Sequence, residues 1–480
     1  MKSLMLFVTS FCFSMGVAMT AFTQDLDRTI KPRAQGAPAI KLPAIQKATL
    51  NNGLSVWLVE DHELPLVAFN LVVSSGSDHD PLDQPGLASM TAEMLDEGTS
   101  SRTALQIAEA LDFIGATLSV NAFTDGSTVA LNTLTKHLDT ALDVFADVLV
   151  NPTFPEKEFE RLRQQRLTSL LQQKDRPAAI ASLTFYKLLY GTKHPYGLNP
   201  SGTEASLKAM KRDDVAQFHQ KYYRPNNATL IVVGDVSMGD IVAKLEHLLA
   251  SWKRADVSRV ILPPPPLSFR QAVLIDKPGA PQSEVRIGSI GAARNTPDFF
   301  PLTVMNTVLG GQFSSRLNMN LRERRGFTYG ARSNFSFNKY PGPFLASAAV
   351  TTSKTDSAVF EFFYEIERMQ RLGITPEELE FAKKSLTGSF ARTFETPTQI
   401  ASALQSIVLY NLPMDYFNSY LQKINNVTLD DVSRVAADYL DSSRMVVVVV
   451  GDAKTIRSGL EKLNIGKLVM SDADGNRLTQ

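Results

Sequence analysis

The chain repeats itself once at long range, and this constrains its architecture more than any local motif. IVVGDV at 231–236 returns as VVVGDA at 448–453, and Asp213-Asp214-Val215 returns as Asp430-Asp431-Val432. Asp235 and Asp452, like Asp214 and Asp431, are 217 residues apart. FPEKEFE around Pro155 returns as TPEELEF around Pro376, 221 residues on, and Ile180-Ala181-Ser182 returns as Ile400-Ala401-Ser402, 220 residues on. Four matches in one order at nearly one offset describe two homologous domains, not a solenoid of short repeats. A 480-residue chain also exceeds what one ordinary core supports.

Each half carries the same pattern. Strand-like runs come first, at 55–59 and 67–74, then at 272–275 and 285–289. A helix follows, at 86–96 and 300–309, and then strands at 117–121 and 128–134, or 328–336 and 344–351. Helices with apolar residues at helical spacing complete each half: Leu138, Leu142, Phe145 and Leu149 in one, Val359, Phe362, Ile366 and Met369 in the other. The order implies an α+β class with two homologous α/β sandwich domains, 45–255 and 271–466. A Pro-rich linker at 256–270 joins them, and Pro263–Pro266 holds it in extended polyproline geometry.

Residues 1–24 read differently. Lys2 precedes the apolar run 4–19, and no acid occurs before Asp25, the order of a secretory signal peptide. An uncleaved anchor is the alternative reading, and the run is slightly short for a span. Cys12, the only cysteine, lies inside this segment. The mature chain would then have neither disulfides nor thiol chemistry, which fits an exported, bacterial periplasmic protein with no membrane association after cleavage. Lys+Arg and Asp+Glu balance at 49 each, so no electrostatic footprint for nucleic acid exists.

Five segments carry a family resemblance: GLASMTAEMLDEGT (86–99), GATLSVNAFTDGSTVA (115–130), NPTFPEKEFERLRQQ (151–165), HPYGLNPSGTEASL (194–207) and KYYRPNNATLIVVGD (221–235). They resemble the pitrilysin/insulinase peptidases, which include the mitochondrial processing peptidases. The resemblance implies a clamshell of the two domains. It also implies a zinc helix with the inverted motif H-x-x-E-H, in which two His at i and i+4 hold zinc and the Glu is the general base. Here those positions hold Ser89, Ala92 and Glu93. The helix expected to bring the third ligand, 160–177, has Thr168, Ser169 and Leu170 at the matching place, and its nearest preceding carboxylate is Glu160. All three ligands and the base are absent together.

Six His occur, and no two lie at i, i+3 or i+4. His79 with Glu93 and Glu97 is the one conceivable metal cluster, and its oxygen-rich character suits calcium or magnesium better than zinc. The plainer reading of Glu93 and Glu97 is a solvated helix face.

The second half keeps GGQFSSRLNMNLRERRGFTYGARS (310–333). By the resemblance, Arg322 and Tyr329 match an Arg and a Tyr, seven residues apart, that reach the substrate beside zinc in active relatives. An Arg can clamp a peptide carbonyl, and a Tyr hydroxyl can donate to a developing oxyanion. The plainer reading is a charged helix end stopped by Gly326, with Tyr329 an ordinary strand aromatic. The resemblance further implies that Asn121, Ala122 and Phe123 lie on a sheet edge that takes extended peptides. His194 before Pro195 reads as a turn residue.

One half lacks the metal ligands while the other keeps the transition-state helpers. The resulting expectation is a non-metallated subunit of a heterodimeric zinc metallopeptidase, inactive alone. It would hold no cofactor itself, and its partners would be a peptide substrate and a zinc-bearing pitrilysin-family subunit that carries the zinc. Two alternatives stand beside it: a stand-alone peptide-binding or scaffold protein like the core subunits of respiratory complexes, and an active metallopeptidase with unconventional ligands.

Overall fold

The computed structural model describes residues 44–258 and 270–478. The expected signal segment and Pro263–Pro266 lie outside these residues.

Two six-stranded sheets organise the chain, one in each half. The first has the order β1-β2-β6-β3-β5-β4, from β1 (Gln46–Thr49), β2 (Ser55–Glu60), β3 (Leu66–Val73), β4 (Thr117–Phe123), β5 (Gly126–Leu134) and β6 (Ala228–Gly234). The second has the order β12-β7-β11-β8-β10-β9, from β7 (Gln271–Asp276), β8 (Gln282–Ile290), β9 (Thr328–Phe335), β10 (Pro343–Thr351), β11 (Val446–Gly451) and β12 (Leu468–Ser471). Five strands of one sheet match five of the other in order and direction. The central GD strands β6 and β11 run parallel to β2 and β7 and antiparallel to β3 and β8.

The sixth strand breaks the duplication. β1 enters ahead of β2 and pairs antiparallel, whereas β12 arrives from the chain's end and pairs parallel with β7. It carries the second half past the expected boundary at 466. Both strands are only four residues long, β1 mostly exposed and β12 mostly half-buried, so neither leaves a clear apolar alternation in the sequence.

The helices of the first half are α1 (Leu87–Glu93), α2 (Ala104–Ile114), α3 (Leu138–Val150), α4 (Glu156–Gln173), α5 (Pro177–Tyr190), α6 (Glu204–Ala209), α7 (Arg212–Tyr222) and α8 (Met238–Leu248). Those of the second are α9 (Phe299–Asn306), α10 (Arg316–Asn318), α11 (Thr355–Leu372), α12 (Pro376–Phe390), α13 (Pro397–Tyr410), α14 (Tyr420–Asn426), α15 (Leu429–Tyr439) and α16 (Ala453–Lys462).

Successive strand residues point to opposite faces, and here both faces are covered. In β2 and β6, Val56, Leu58, Leu230 and Val232 join the core made with the first half's own helices. Trp57, Val59, Ile231 and Val233 face the other way and pack on Ile400, Ala401, Leu404 and Ile407 of α13, a helix of the second half. The exchange is reciprocal. Val273, Ile275, Val446, Val448 and Val450 pack on Ile180, Ala181, Phe185 and Leu189 of α5, a helix of the first half. The valine run of β11 is therefore what a strand buried on both faces requires. The repeated Ile-Ala pair at 180–181 and 400–401 marks the exchanged helices. Polar contacts reinforce them: Asn70 donates to Gln405 (2.8 Å), Tyr190 Oη to the Pro341 carbonyl (2.9 Å), and Thr398 to Asn132 (2.9 Å).

Candidate functional site

The segment around Ser89 folds as a short helix buried on most sides. Gly86 opens α1 at φ 94°, a left-handed conformation, and a Cβ there would lie 2.7 Å from the Gly202 backbone. The Asp80 carboxylate, itself buried, accepts from the backbone N–H of Gly86 (2.8 Å) and of Ala88 (2.7 Å) and so satisfies the start of α1. Burial pushes its pKa up to about 7, against those hydrogen bonds, and the charge of Asp78 adds to the rise. Leu87, Ala88, Met90 and Ala92 face the core. Ser89 and Glu93, four residues apart, share the remaining face. Ala92 is buried and offers no group that could act as a base.

Opposite that face stands Arg166 of α4, only 9% exposed. Its Nε donates to Glu93 Oε2 at 3.0 Å while Nη2 faces Oε1 at 2.9 Å, a bidentate fork. Nη1 donates to Ser89 Oγ at 2.8 Å and to the Gly86 carbonyl at 3.3 Å. Ser89 Oγ in turn donates to the Pro200 carbonyl at 2.7 Å, which ties the 199–202 loop to the same network. The residues at two ligand positions of the motif are thus joined by a guanidinium. Reading the sequence for carboxylates and imidazoles missed Arg166. The available signal was a basic residue on the helix expected to bring the third ligand, 73 residues after Glu93 and 77 after Ser89. At that helix's matching place, Thr168 bonds back to the Gln164 carbonyl and Leu170 packs on the core. Glu160 pairs with Arg163 at 2.9 Å.

These residues do not fit zinc. One hydroxyl and one carboxylate remain, and both are engaged by a cation. The conceivable His79–Glu93–Glu97 cluster does not form either. His79 is buried with Nδ1 on Asp78 Oδ1 at 2.5 Å and its ring edge on Tyr222, while Glu97 pairs with Arg161. The reading of Glu93 and Glu97 as a solvated face holds for Glu93, whose side chain stays 49% exposed, and less for Glu97 at 18%; each carboxylate also pairs with an arginine of α4. Among the described residues, no three His, Cys, Asp or Glu side chains gather as a metal-holding group.

In the second half, α10 continues into a π-helical turn, Met319–Arg324, that presents Arg322. Gly326 at φ 64° ends it, and Tyr329 follows near the start of β9. The scaffold beneath is rigidly bonded. Arg316 forks onto Glu378 (2.8 and 2.6 Å), Asn320 donates to the buried Glu361 (2.8 Å) and Glu365 (2.9 Å), and Asn318 Oδ1 accepts from the Ala331 N–H (3.2 Å). Above it, among the described residues, Arg322 pairs only with neighbouring Glu323 (3.3 Å) and lies 4.6 Å over the Phe313 ring. Tyr329 is 90% exposed on an edge strand. No hydrogen bond or ion pair among the described residues links Arg322 or Tyr329 to Ser89, Glu93 or Arg166.

Asn121, Ala122 and Phe123 lie on β4, the outermost strand of the first sheet. They pair with Thr128, Ser127 and Gly126 of β5, and among the described residues no strand pairs with the other edge of β4. Where β4 ends, at Thr124, a cavity of about 1390 Å³ opens, with Leu170, Ile180, Tyr186 and Pro200 of the first half and Asn338 and Asp474 of the second among its walls. His194 is the turn residue expected, its Nδ1 accepting from the Tyr196 N–H at 3.1 Å.

Comparison with known proteins gives one consistent result. Residues 55–192 match the model described as insulinase (peptidase family M16), and residues 209–386 match that described as peptidase M16 inactive domain. The second stretch does not include α1. A zinc protease of Bacillus subtilis, YmxG, is 26% identical over 82% of this chain and 95% of its own length. A Helicobacter pylori relative described as a non-peptidase homolog is 26% identical over 82% of this chain and 91% of its own. Among solved structures, a peptidase M16 inactive domain from Pseudomonas fluorescens superposes with a TM-score of 0.80 at 29% identity, covering 85% of this chain and 98% of that one. A Helicobacter pylori protease shares the fold at a TM-score of 0.79 and 22% identity, covering 85% and 100%.

Proposed function

We propose that this chain, which belongs to the insulinase (M16) peptidase family, is a non-catalytic member that completes the active site of a separate, zinc-bearing M16 subunit. The observation that carries this reading is an asymmetry. The motif positions of the first half are paired with Arg166, whereas in the second half Tyr329 stands exposed beside a partly exposed Arg322 on a bonded scaffold. A side chain kept for structure would be packed; a Tyr 90% exposed beside an Arg whose side chain is 38% exposed fits a group that meets another molecule. The description of a relative as a non-peptidase homolog agrees with a chain that cannot hydrolyse peptides alone.

In the complex, zinc held by the partner subunit would supply Lewis-acid chemistry. Arg322 binds a carbonyl or carboxylate of the peptide through its planar fork, and Tyr329 donates to the oxyanion. Neither residue of this chain delivers or removes the hydrolytic proton. The free edge of β4 at Asn121–Phe123 offers main-chain pairing to an extended peptide. The site belongs to an exported, periplasmic assembly in this reading.

The test reconstitutes the complex with the zinc subunit and measures peptide hydrolysis. Arg322→Ala and Tyr329→Phe each lower kcat by about 10²–10³-fold, the usual size for one oxyanion donor, with zinc content unchanged. Full activity of both variants would exclude the role.

A further inference from the structure

We infer that the Arg166 guanidinium is a built-in cation that takes the structural place of a metal ion between α1 and α4, cross-linking the two helices and closing the site to divalent metals. This inference concerns the chain itself and holds with or without a partner subunit.

Three observations carry it. First, the contacts fall on the motif residues: Glu93 through two nitrogens at 3.0 and 2.9 Å, and Ser89 at 2.8 Å. These stand at the two His positions of an H-x-x-E-H helix, so the cation reaches α1 where a metal would. Second, the group is largely committed to these partners. A guanidinium has five N–H donors. Four of them are directed at Glu93 (two), Ser89 and the Gly86 carbonyl, which leaves a single N–H and no free bidentate edge for an anion. Third, it is 9% exposed, so its charge has been taken out of water and depends on these partners. A divalent ion approaching Ser89 and Glu93 would meet a fixed positive charge and find both oxygens already engaged. Lysine could not substitute, because a single ammonium cannot span a carboxylate, a hydroxyl and a carbonyl in one plane.

The network also reaches outward. Ser89 Oγ donates a hydrogen bond to the Pro200 carbonyl, and Pro200 walls the cavity at the end of β4. Arg166, by holding Ser89 Oγ, links α4 to the same network.

The experiment uses the full mature chain and zinc ion as the probe. Ser89→His with Glu93→His places two imidazoles at i and i+4 on α1, a two-ligand half-site. Zinc affinity is measured by competition with a chromophoric chelator, with Arg166 retained and with Arg166→Ala. The expected result is binding at least about tenfold tighter when Arg166 is removed, since a buried like charge is then absent. Equal affinity in the two backgrounds would overturn the inference.

A second measurement stands if the triple variant fails to fold. Arg166→Met and Glu93→Gln are compared singly and together in thermal unfolding. Each single change is expected to lower the midpoint by about 5 °C, and the pair to fall no lower than Arg166→Met alone, because both remove one interaction. Additive losses would mean that Arg166 and Glu93 act separately, and the inference would fail.

Discussion

At the scale of single residues, charge burial decides the behaviour of the α1 region. Asp80 holds the N-terminus of α1, and burial raises its pKa from 3.8 to about 7. A raised folded-state pKa means that the folded protein holds a proton that the unfolded chain has released. The Asp80 contribution is therefore fully present below about pH 4 and is lost as pH rises through about 7. Asp80→Asn should flatten the fall in thermal midpoint between those limits, which a series of melts across that range would reveal; an unchanged slope would assign it to other groups. What was readable at this scale was the content of positions 89, 92 and 93. What was not readable was their partner: an ion pair between helices 73 residues apart leaves no period and no motif in the sequence.

At the scale of elements, the strands of the two sheets were legible because β-branched residues alternate or run continuously with turn residues between them. The helix at 86–96 was drawn too long. α1 ends at Glu93, where Met94 and Leu95 turn back into the core. β1 and β12 went unseen because a four-residue edge strand has too few buried positions to leave a pattern. The exchanged helices were visible as amphipathic segments, but a pattern shows that a face is apolar without showing what covers it. Their energetics are now testable. Leu404, 3% exposed, packs on a sheet of the opposite half. Leu404→Ala should cost about 2–5 kcal/mol, as for a residue in its own domain's core. Chemical denaturation would measure this, and a loss below about 0.5 kcal/mol, typical of surface positions, would show that the face is not a true core.

At the scale of the whole molecule, the duplication predicted two domains, and the structure makes them interdependent. Without α13 the first sheet exposes Trp57, Val59, Val72, Ile231 and Val233; without α5 the second exposes Val273, Ile275, Val446, Val448 and Val450. Neither half should fold alone. Residues 44–258 and 270–478 expressed separately should be insoluble or molten, and soluble when co-expressed; two independently folded halves would refute this.

The measurement that tests the central claim most directly is native purification of the tagged mature chain, followed by zinc analysis and peptide cleavage. The prediction is a one-to-one complex with a second M16 chain, one zinc per pair and none in this chain after separation, and cleavage only by the pair. A lone chain that carries stoichiometric zinc and cleaves peptides, or one that is found without any M16 partner, would contradict it.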